Sequence, residues 1–186
     1  MKCALCKEKK CYEGKDCTQI KEEVEKACRQ ELKSMRVSAH IEAEHYMKKN
    51  RLEELILYAK EMGYKRLGLA FCIGLEDEAE TIHKILSNHF DVFSVCCKVC
   101  GIEKSEFDLD YLQDGAEATC NPVGQAMVLN RVKTDLNVIL GLCIGHDILF
   151  SKYSEAPVTT LVVKDRVLAH NPLGAIYSEY YRKRLE

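Results

Sequence analysis

A chain of 186 residues, 47% of them hydrophobic, is long enough to fold around its own core and too apolar to be mostly disordered. Its 27 basic and 29 acidic residues nearly cancel, and no basic face interleaved with aromatic residues indicates a nucleic-acid partner. No stretch approaches the roughly 18 to 20 apolar residues of a membrane span, and the N-terminus lacks the apolar run of a signal peptide. We therefore expect a cytoplasmic protein without a nucleic-acid or membrane partner.

The cysteine content narrows the function further. Eleven cysteines are many for an intracellular chain, and their number is odd. A reducing cytosol keeps thiols unpaired, and a chain of this length does not need disulfides to fold. Metal binding or thiol chemistry therefore explains these residues better than structural disulfides do.

The chain begins with a head rich in cysteine and lysine, without apolar periodicity. Its four thiols are those of Cys3, Cys6, Cys11 and Cys17. Soft ligands with such short spacers favour tetrahedral zinc or an iron–sulfur cluster. Because four thiolates leave no open position for a substrate, we predict a structural metal site. The alternative is a flexible, reduced tail.

Two helical regions are predicted next. Thr18 is a suitable N-cap for the first, in which apolar residues recur at helical spacing from Ile20 to Met35. The second opens after Ser38 and is predicted to stop at Gly63.

Beyond Gly63, short apolar strands alternate with amphipathic helices, which is typical of parallel βαβ units. The predicted strands are Arg66 to Cys72, Asp91 to Cys96, Leu136 to Leu142 and Val158 to Lys164. We expect a three-layer, Rossmann-like α/β domain with a mainly parallel sheet of about four strands. The predicted division is a metal-binding head at 1–17, a helical segment at 18–63 packed on the main domain, and the α/β domain at 64–186.

Further cysteines stand where predicted strands end or helices begin. The four that we expect to converge are Cys72, Cys97, Cys120 and Cys143. The carboxyl ends of parallel strands share one edge of the sheet, where ligands bind and helix N-termini stabilise thiolates. We predict that these cysteines bind zinc or an iron–sulfur cluster there. The alternative is that they are small core residues, which is how we interpret Cys28.

Several neighbours are candidates for supporting roles. Lys98, His146 and Asp147 are candidate catalytic residues, although Asp147 also suits the first turn of a helix. Cys100, His146 and His170 are candidates for replacing a ligand or supporting one, and the role of Cys96 is open. The motifs Cys120-Asn121-Pro122 and His170-Asn171-Pro172 each predict a ligand type at a helix entrance.

Three motifs carry a resemblance that covers almost the whole chain. They are Cys120-Asn121-Pro122-x-x-Gln125-Ala126, Gly141-Leu142-Cys143-x-Gly145-His146-Asp147 and Lys164-Asp165-Arg166-x-x-x-His170-Asn171-Pro172. Together with Phe71-Cys72-Ile73-Gly74-Leu75 and the N-terminal cysteines, they resemble a prokaryotic family of uncharacterised, predicted metal-binding proteins. The resemblance implies metal binding and little more. Cys100 departs from the family pattern as an addition.

Three functions fit these observations. The first is a metalloprotein with a structural head and an edge site for redox or small-molecule chemistry. The second is a thiol enzyme without metal, using Cys97-x-x-Cys100 as a dithiol or Cys143 as a nucleophile near His146. The third is a metal carrier or sensor, which would need exchangeable metal and no substrate pocket. Whether the chain is an enzyme stays open.

Overall fold

The computed structural model describes all residues, 1–186, and divides into two units, Met1–Tyr46 and Met47–Glu186. The N-terminal unit has short 3₁₀ turns at Cys3–Leu5 and Lys10–Glu13. Its two helices are α1, Lys21–Gln30, and α2, Leu32–His45.

The predicted start of the first helix was wrong. Thr18 donates its hydroxyl hydrogen bond to Asp16, and α1 begins after Ile20, whose side chain makes no cap. Asp16 instead accepts hydrogen bonds from three backbone amides, those of Thr18, Gln19 and Lys21. The carboxylate therefore organises the turn that Thr18 was expected to begin.

The second unit opens with helix α3, Arg51–Met62. Its N-cap, Asn50, accepts from the amides of Leu52 and Glu53, and the Glu53 side chain accepts from the Asn50 amide. This reciprocal capping box satisfies amides that the first turn leaves without helical partners. The helix ends at Gly63, which has a left-handed φ of 80°, as the sequence predicted. The predicted start after Ser38 was wrong, because Ser38 lies inside α2 and the helical structure breaks before α3.

A sheet of four strands, all parallel, forms the centre of this unit. The strands are β1, Arg66–Phe71; β2, Asp91–Cys96; β3, Leu136–Leu140; and β4, Val158–Val162. Three helices connect them in turn: α4, Glu76–Ser87; α5, Pro122–Arg131; and α6, His146–Tyr153. The order β2-β1-β3-β4 confirms the predicted parallel α/β fold.

Apolar side chains cover both faces of the sheet. On one face, Leu67 and Leu69 of β1 pack with Ala59 of α3 and Leu86 of α4. The other face has its own buried cluster, and its members from β1, β3, α5 and α6 are Ala70, Ile139, Ala126, Leu129 and Phe150. Burial on both faces explains why the strands read as near-continuous apolar runs.

The chain ends with helices α7, Gly174–Tyr177, and α8, Glu179–Leu185. Asn171 does not cap α7, because the N-cap position falls on Leu173. The predicted helix entrance at His170 was therefore wrong. None of the helices combines the length and apolar character needed to cross a bilayer.

Candidate functional site

Three of the predicted thiols follow strands at the carboxyl edge of the sheet. Cys72 comes directly after β1, and its amide donates to the Leu140 carbonyl of β3 at 3.2 Å. Cys97 comes directly after β2, and its amide donates to the Phe71 carbonyl at 2.9 Å. Cys143 lies just beyond β3. Because β1 lies between β2 and β3, the strand order reverses here, which is where open α/β sheets bind ligands.

Cys120 lies just before α5 and is held against Cys97. The Asn121 amide donates to the Cys97 carbonyl at 2.7 Å, and the Asn121 side chain caps α5 by accepting from Gly124 at 2.7 Å. The Cys97 and Cys120 thiols interact with each other, and this interaction is the main cause of the pKa shift of each. The Cys97 sulfur also accepts from the Ile73 amide at 3.3 Å. The two thiols therefore form a fixed pair, which we call the thiol pair.

The two thiols of the pair have pKa values shifted in opposite directions. A hydrogen bond from Cys97 is the main cause that lowers the pKa of Cys120 to about 5, and the charges of Lys98 and His146 lower it further. The hydrogen bond to Cys120 is also the main cause that raises the pKa of Cys97, and burial adds to it. At neutral pH, Cys120 therefore carries the negative charge and Cys97 keeps its proton.

Arg166, in the segment after β4, contacts the remaining thiol. Its Nη2 donates to the Cys143 sulfur at 2.9 Å. This hydrogen bond raises the pKa of Arg166, and the neighbouring sulfurs of Cys72 and Cys120 raise it further. Cys120 in turn interacts with Cys97, so the four thiols lie close enough to affect one another or Arg166 electrostatically. The structure thus brings the predicted set to one edge of the sheet.

Lys98 connects this edge to the acidic segment between β2 and α5. Its side chain lowers the pKa of Cys120 by charge and by hydrogen bonding. The same ammonium donates to the Ala118 carbonyl and lies 3.6 Å from a carboxylate oxygen of Glu117. Glu117 pairs in turn with the buried Lys104 at 2.9 Å. Lys98 therefore fastens the segment beside the thiols.

His146 and Asp147 open α6, and both of their amides donate to the Cys143 carbonyl, at 2.9 and 3.2 Å. The Asp147 side chain accepts from the Ile148 amide at 2.8 Å, so the structure shows it as a first-turn acid. His146 acts on Cys120 through its charge. A catalytic role for either residue stays a prediction.

The other candidates make backbone contacts. The Cys96 sulfur accepts from the Lys98 amide at 3.5 Å. His170 accepts through Nδ1 from the Asp165 amide at 3.1 Å, which closes the turn after β4. Cys100 is exposed and has a left-handed φ of 72°. The structure therefore pairs the Cys97 thiol with that of Cys120. It does not show the pairing of Cys97 with Cys100 that the thiol-enzyme alternative used.

Gln125 stabilises the carboxyl edge of the sheet by hydrogen bonds to two strands, a role that the sequence did not predict. This fully buried residue of α5 donates from Nε2 to the carbonyls of Phe71 and Val95, at 3.1 and 2.7 Å. Its Oε1 is buried without a partner. The amide joins β1 to β2 one and two residues before Cys72 and Cys97. In the sequence, a single amide residue among the apolar residues of a helix is the pattern that indicates such a bridge.

The cysteines of the head have very different surroundings. All four are exposed, and Cys17 donates weakly to the Lys15 carbonyl at 3.8 Å. Gly14 follows a 3₁₀ turn with a left-handed φ of 84°, a conformation that glycine adopts readily, so the chain turns between Cys11 and Cys17. The Thr18 hydroxyl is the main cause that lowers the pKa of Asp16, just before Cys17, to about 2.

No group of three or more His, Cys, Asp and Glu side chains has the arrangement needed to hold a metal ion. The donor chemistry of the edge nevertheless fits a soft metal, because Cys120 carries a thiolate hydrogen-bonded to a second thiol. Arg166 and Lys98 would also balance the charge of an anionic cluster. Metal binding at this edge therefore requires the thiol side chains to rotate toward one another.

These observations define a cysteine-rich protein with an all-parallel α/β domain. The chain belongs to the family described as "protein of unknown function (DUF1847)", whose model matches residues 7–161. It is similar to the uncharacterized protein MJ0455 of Methanocaldococcus jannaschii, with 59% identity over 191 residues, which cover 100% of this chain and 98% of that protein. No solved structure matches the chain. Its function must therefore be inferred from the site.

Proposed function

We propose that this protein binds metal through cysteine thiolates, with a reactive centre at the sheet edge and a structural site in the head. The observation that carries the proposal is the common position of Cys72, Cys97, Cys120 and Cys143. These cysteines come from four separate segments, and the parallel sheet brings the segments to one crevice. Cys72 and Cys97 also belong to the buried cluster on one face of the sheet, so the proposal depends on the partly buried Cys120 and Cys143 and on the positive charges beside them.

The surroundings of the edge favour zinc or an iron–sulfur cluster over harder cations. Soft thiolates are preferred ligands of both, whereas magnesium and calcium prefer oxygen. A four-thiolate centre is negatively charged, and Lys98 and Arg166 already contact the sulfurs of Cys120 and Cys143. The same positive charges would lower the energy of a reduced or anionic state, which suits redox or small-molecule chemistry.

The proposed site in the head is structural. Within Met1–Tyr46 the single buried side chain is that of Ile41, so the segment that carries the four cysteines has no core of its own. A metal bound by Cys3, Cys6, Cys11 and Cys17 would supply the missing crosslinks, as in other small metal-bound segments.

Metal analysis of protein purified without oxygen tests both sites. We expect two equivalents of metal, or one metal ion and one cluster, and a visible absorption band if a cluster is present. Replacing Cys97 and Cys120 with serine should remove the edge centre alone. Replacing Cys3 and Cys6 should remove the head metal alone.

The matched control is Cys28→Ser, because Cys28 lies on α1 outside both sets and should leave the metal content unchanged. Wild-type protein that holds neither zinc nor iron would overturn the proposal. Unchanged metal content in the Cys97 and Cys120 double variant would remove the edge site and leave the head site.

A second candidate function is thiol–disulfide chemistry at the thiol pair, favoured by the direct hydrogen bond between Cys97 and Cys120. The Cys120 thiolate would attack a substrate disulfide, and one substrate thiol would leave. Cys97, after losing its proton to solvent, would then attack the mixed disulfide, release the second substrate thiol and form the Cys97–Cys120 disulfide.

Equilibration of metal-free protein with glutathione disulfide tests this candidate. Peptide mapping should show a Cys97–Cys120 disulfide that forms reversibly, and the Cys100→Ser variant should form it equally well. Stable mixed disulfides at Cys120 with no internal disulfide would exclude the mechanism.

A further inference from the structure

A positively charged space lies beside the thiols at the carboxyl end of β4. Lys164 follows this strand, and its Nζ is 3.5 Å from the position that a Cβ on Gly74 would occupy. The Cys72 sulfur is 4.0 Å from the same position. The Cδ of Lys164 is 3.6 Å from the corresponding position on Gly141. The Lys164 side chain therefore runs along the turns that follow β1 and β3, and its ammonium and the Cys72 sulfur both face the position of a side chain at residue 74.

Two carboxylates of this edge, those of Asp165 and Glu117, have partners other than Lys164. Asp165 accepts through Oδ1 from the amides of Val167 and Leu168, at 2.9 and 2.8 Å. Glu117 forms its ion pairs with Lys104 and Lys98. No ion pair or hydrogen bond engages the Lys164 ammonium.

Arg166 brings a second positive charge to the same space. Its guanidinium is largely exposed and uses one nitrogen for the Cys143 sulfur. A guanidinium has five N–H donors, so donors remain for another acceptor. Lys164 and Arg166 are two residues apart after β4, and their sulfur neighbours, Cys72 and Cys143, end adjacent strands. Together the two side chains make the edge cationic around the thiols.

The space between Lys164 and Cys72 is open because residue 74 has no side chain. Gly74 is exposed and lies in the Ile73–Leu75 turn without a left-handed φ, so its conformation does not itself require glycine. The first turn of α4 is acidic, so the helix N-terminus there is already offset by carboxylates. Attraction for an anion therefore depends on Lys164 and Arg166.

We infer that Lys164 and Arg166 bind the oxyanion group of a small substrate and hold it against the thiols of Cys72 and Cys143. The ligand class is a small molecule with a carboxylate or an inorganic oxyanion. An ammonium and a guanidinium with free donors form charge-assisted hydrogen bonds to such a group. The inference deepens the proposed function, on which it rests for the reactive centre that the substrate would meet.

Titration with sodium sulfate tests the inference, with amide NMR spectra recorded at constant ionic strength set by chloride. We expect saturable shifts at Gly74 and at the amides that follow Cys143. Lys164→Gln and Arg166→Gln should each weaken sulfate binding by about tenfold, the loss typical of one charge-assisted contact. Gly74→Ala should also weaken it, because the new methyl group fills the space. Acetate in place of sulfate then distinguishes a carboxylate ligand from an inorganic one.

Lys152→Gln is the matched control, because it removes one positive charge at the opposite end of α6. Circular dichroism of each variant checks that the fold is retained. Shifts that do not saturate, or equal weakening by Lys152→Gln, would overturn the inference and leave the cations as counter-charges for the thiolates.

Metal content is measured on the same samples, so the two proposals fail separately. Metal-loaded protein without saturable sulfate binding contradicts this inference alone. Saturable sulfate binding by wild-type protein that never holds zinc or iron contradicts the proposed function alone.

Discussion

The head and the sheet edge use the same side chain in opposite settings. At the edge, Cys97 is 2% exposed, and its sulfur is hydrogen-bonded to a backbone amide and to a second thiol. In the head, all four cysteines are exposed, on two short 3₁₀ turns and the loops beside them. The buried core of the fold positions the first set, whereas the second set has no such core around it, and the proposed metal would supply its order. The edge cysteines therefore depend on the fold for their positions, whereas the order of the head would depend on the metal that its cysteines bind.

Metal removal should give the largest difference between the two regions. A strong chelator should increase tryptic cleavage within residues 1–46 by about tenfold or more, because this unit buries only Ile41 and loses its crosslinks. Residues 47–186 should stay resistant, because their core is independent of the metal. Limited proteolysis with mass spectrometry measures both rates, and zinc or iron added back should restore protection. Equal cleavage with and without chelator would show that the head is ordered without metal.

The second prediction tests whether the edge is positioned by the fold. Gln125→Met should lower the free energy of unfolding by about 1–3 kcal/mol, because the Val95 carbonyl loses a buried hydrogen bond. Gln125→Glu should destabilise more, since a carboxylate would face two carbonyl oxygens. Urea unfolding measures both values. The matched control is Asn130→Ala, a half-buried amide of the same helix that bonds farther from the edge. Equal stability of wild-type and Gln125→Met protein would contradict the bridging role.

The third prediction concerns one thiol of the pair. In metal-free protein the pKa of Cys120 is about 5, so its alkylation should rise with pH across that value and then level off. Cys97→Ala removes the main cause of the lowered pKa, so the pKa rises and alkylation at pH about 6 should fall by about tenfold. Lys98→Met should act in the same direction and less strongly. Peptide mass spectrometry after timed iodoacetamide labelling measures the rates. A pH profile of Cys120 that Cys97→Ala leaves unchanged would contradict the pairing.

The smallest effect is expected at Asp16, in the head. Its pKa is lowered from 3.8 to about 2 by hydrogen bonds from Thr18 and neighbouring amides, so the ionised form stabilises the turn. That stabilisation is complete above the unfolded pKa of 3.8 and is lost as pH falls through about 2. Asp16→Ala should therefore speed hydrogen exchange at the amides of Thr18, Gln19 and Lys21 and leave the α/β unit unchanged. Unaltered exchange at these amides would remove the capping role.

The strands were predictable from the sequence because both faces of the sheet are buried, which leaves apolar runs such as Leu67 to Phe71 after the charged Lys65 and Arg66. The sequence also placed Cys72, Cys97, Cys120 and Cys143 at one edge, because topology alone makes parallel strand ends meet. The individual contacts were not predictable in this way. The meeting of Cys97 with Cys120 depends on how the segment between β2 and α5 folds back, and sequence spacing does not determine that path.

Local capping was a further source of error. Thr18 and Asp16 are both good capping residues, and the sequence does not show that the carboxylate takes all three amides. Asn121 and Asn171 precede proline in the same way, but only Asn121 caps a helix, since the chain after Asn171 forms a turn first. The outcome depends on the tertiary position of the following residues.

The strand order of the sheet also determines when each group of cysteines can act during synthesis. The four cysteines of the head precede every strand in the chain, so they are synthesised before the sheet can form. The crevice needs β1, β2 and β3, and its cations arrive only with Lys164 and Arg166, close to the end of the chain. The proposed edge centre would therefore be assembled only after β4 has been made, which delays its chemistry until the fold around it is nearly complete.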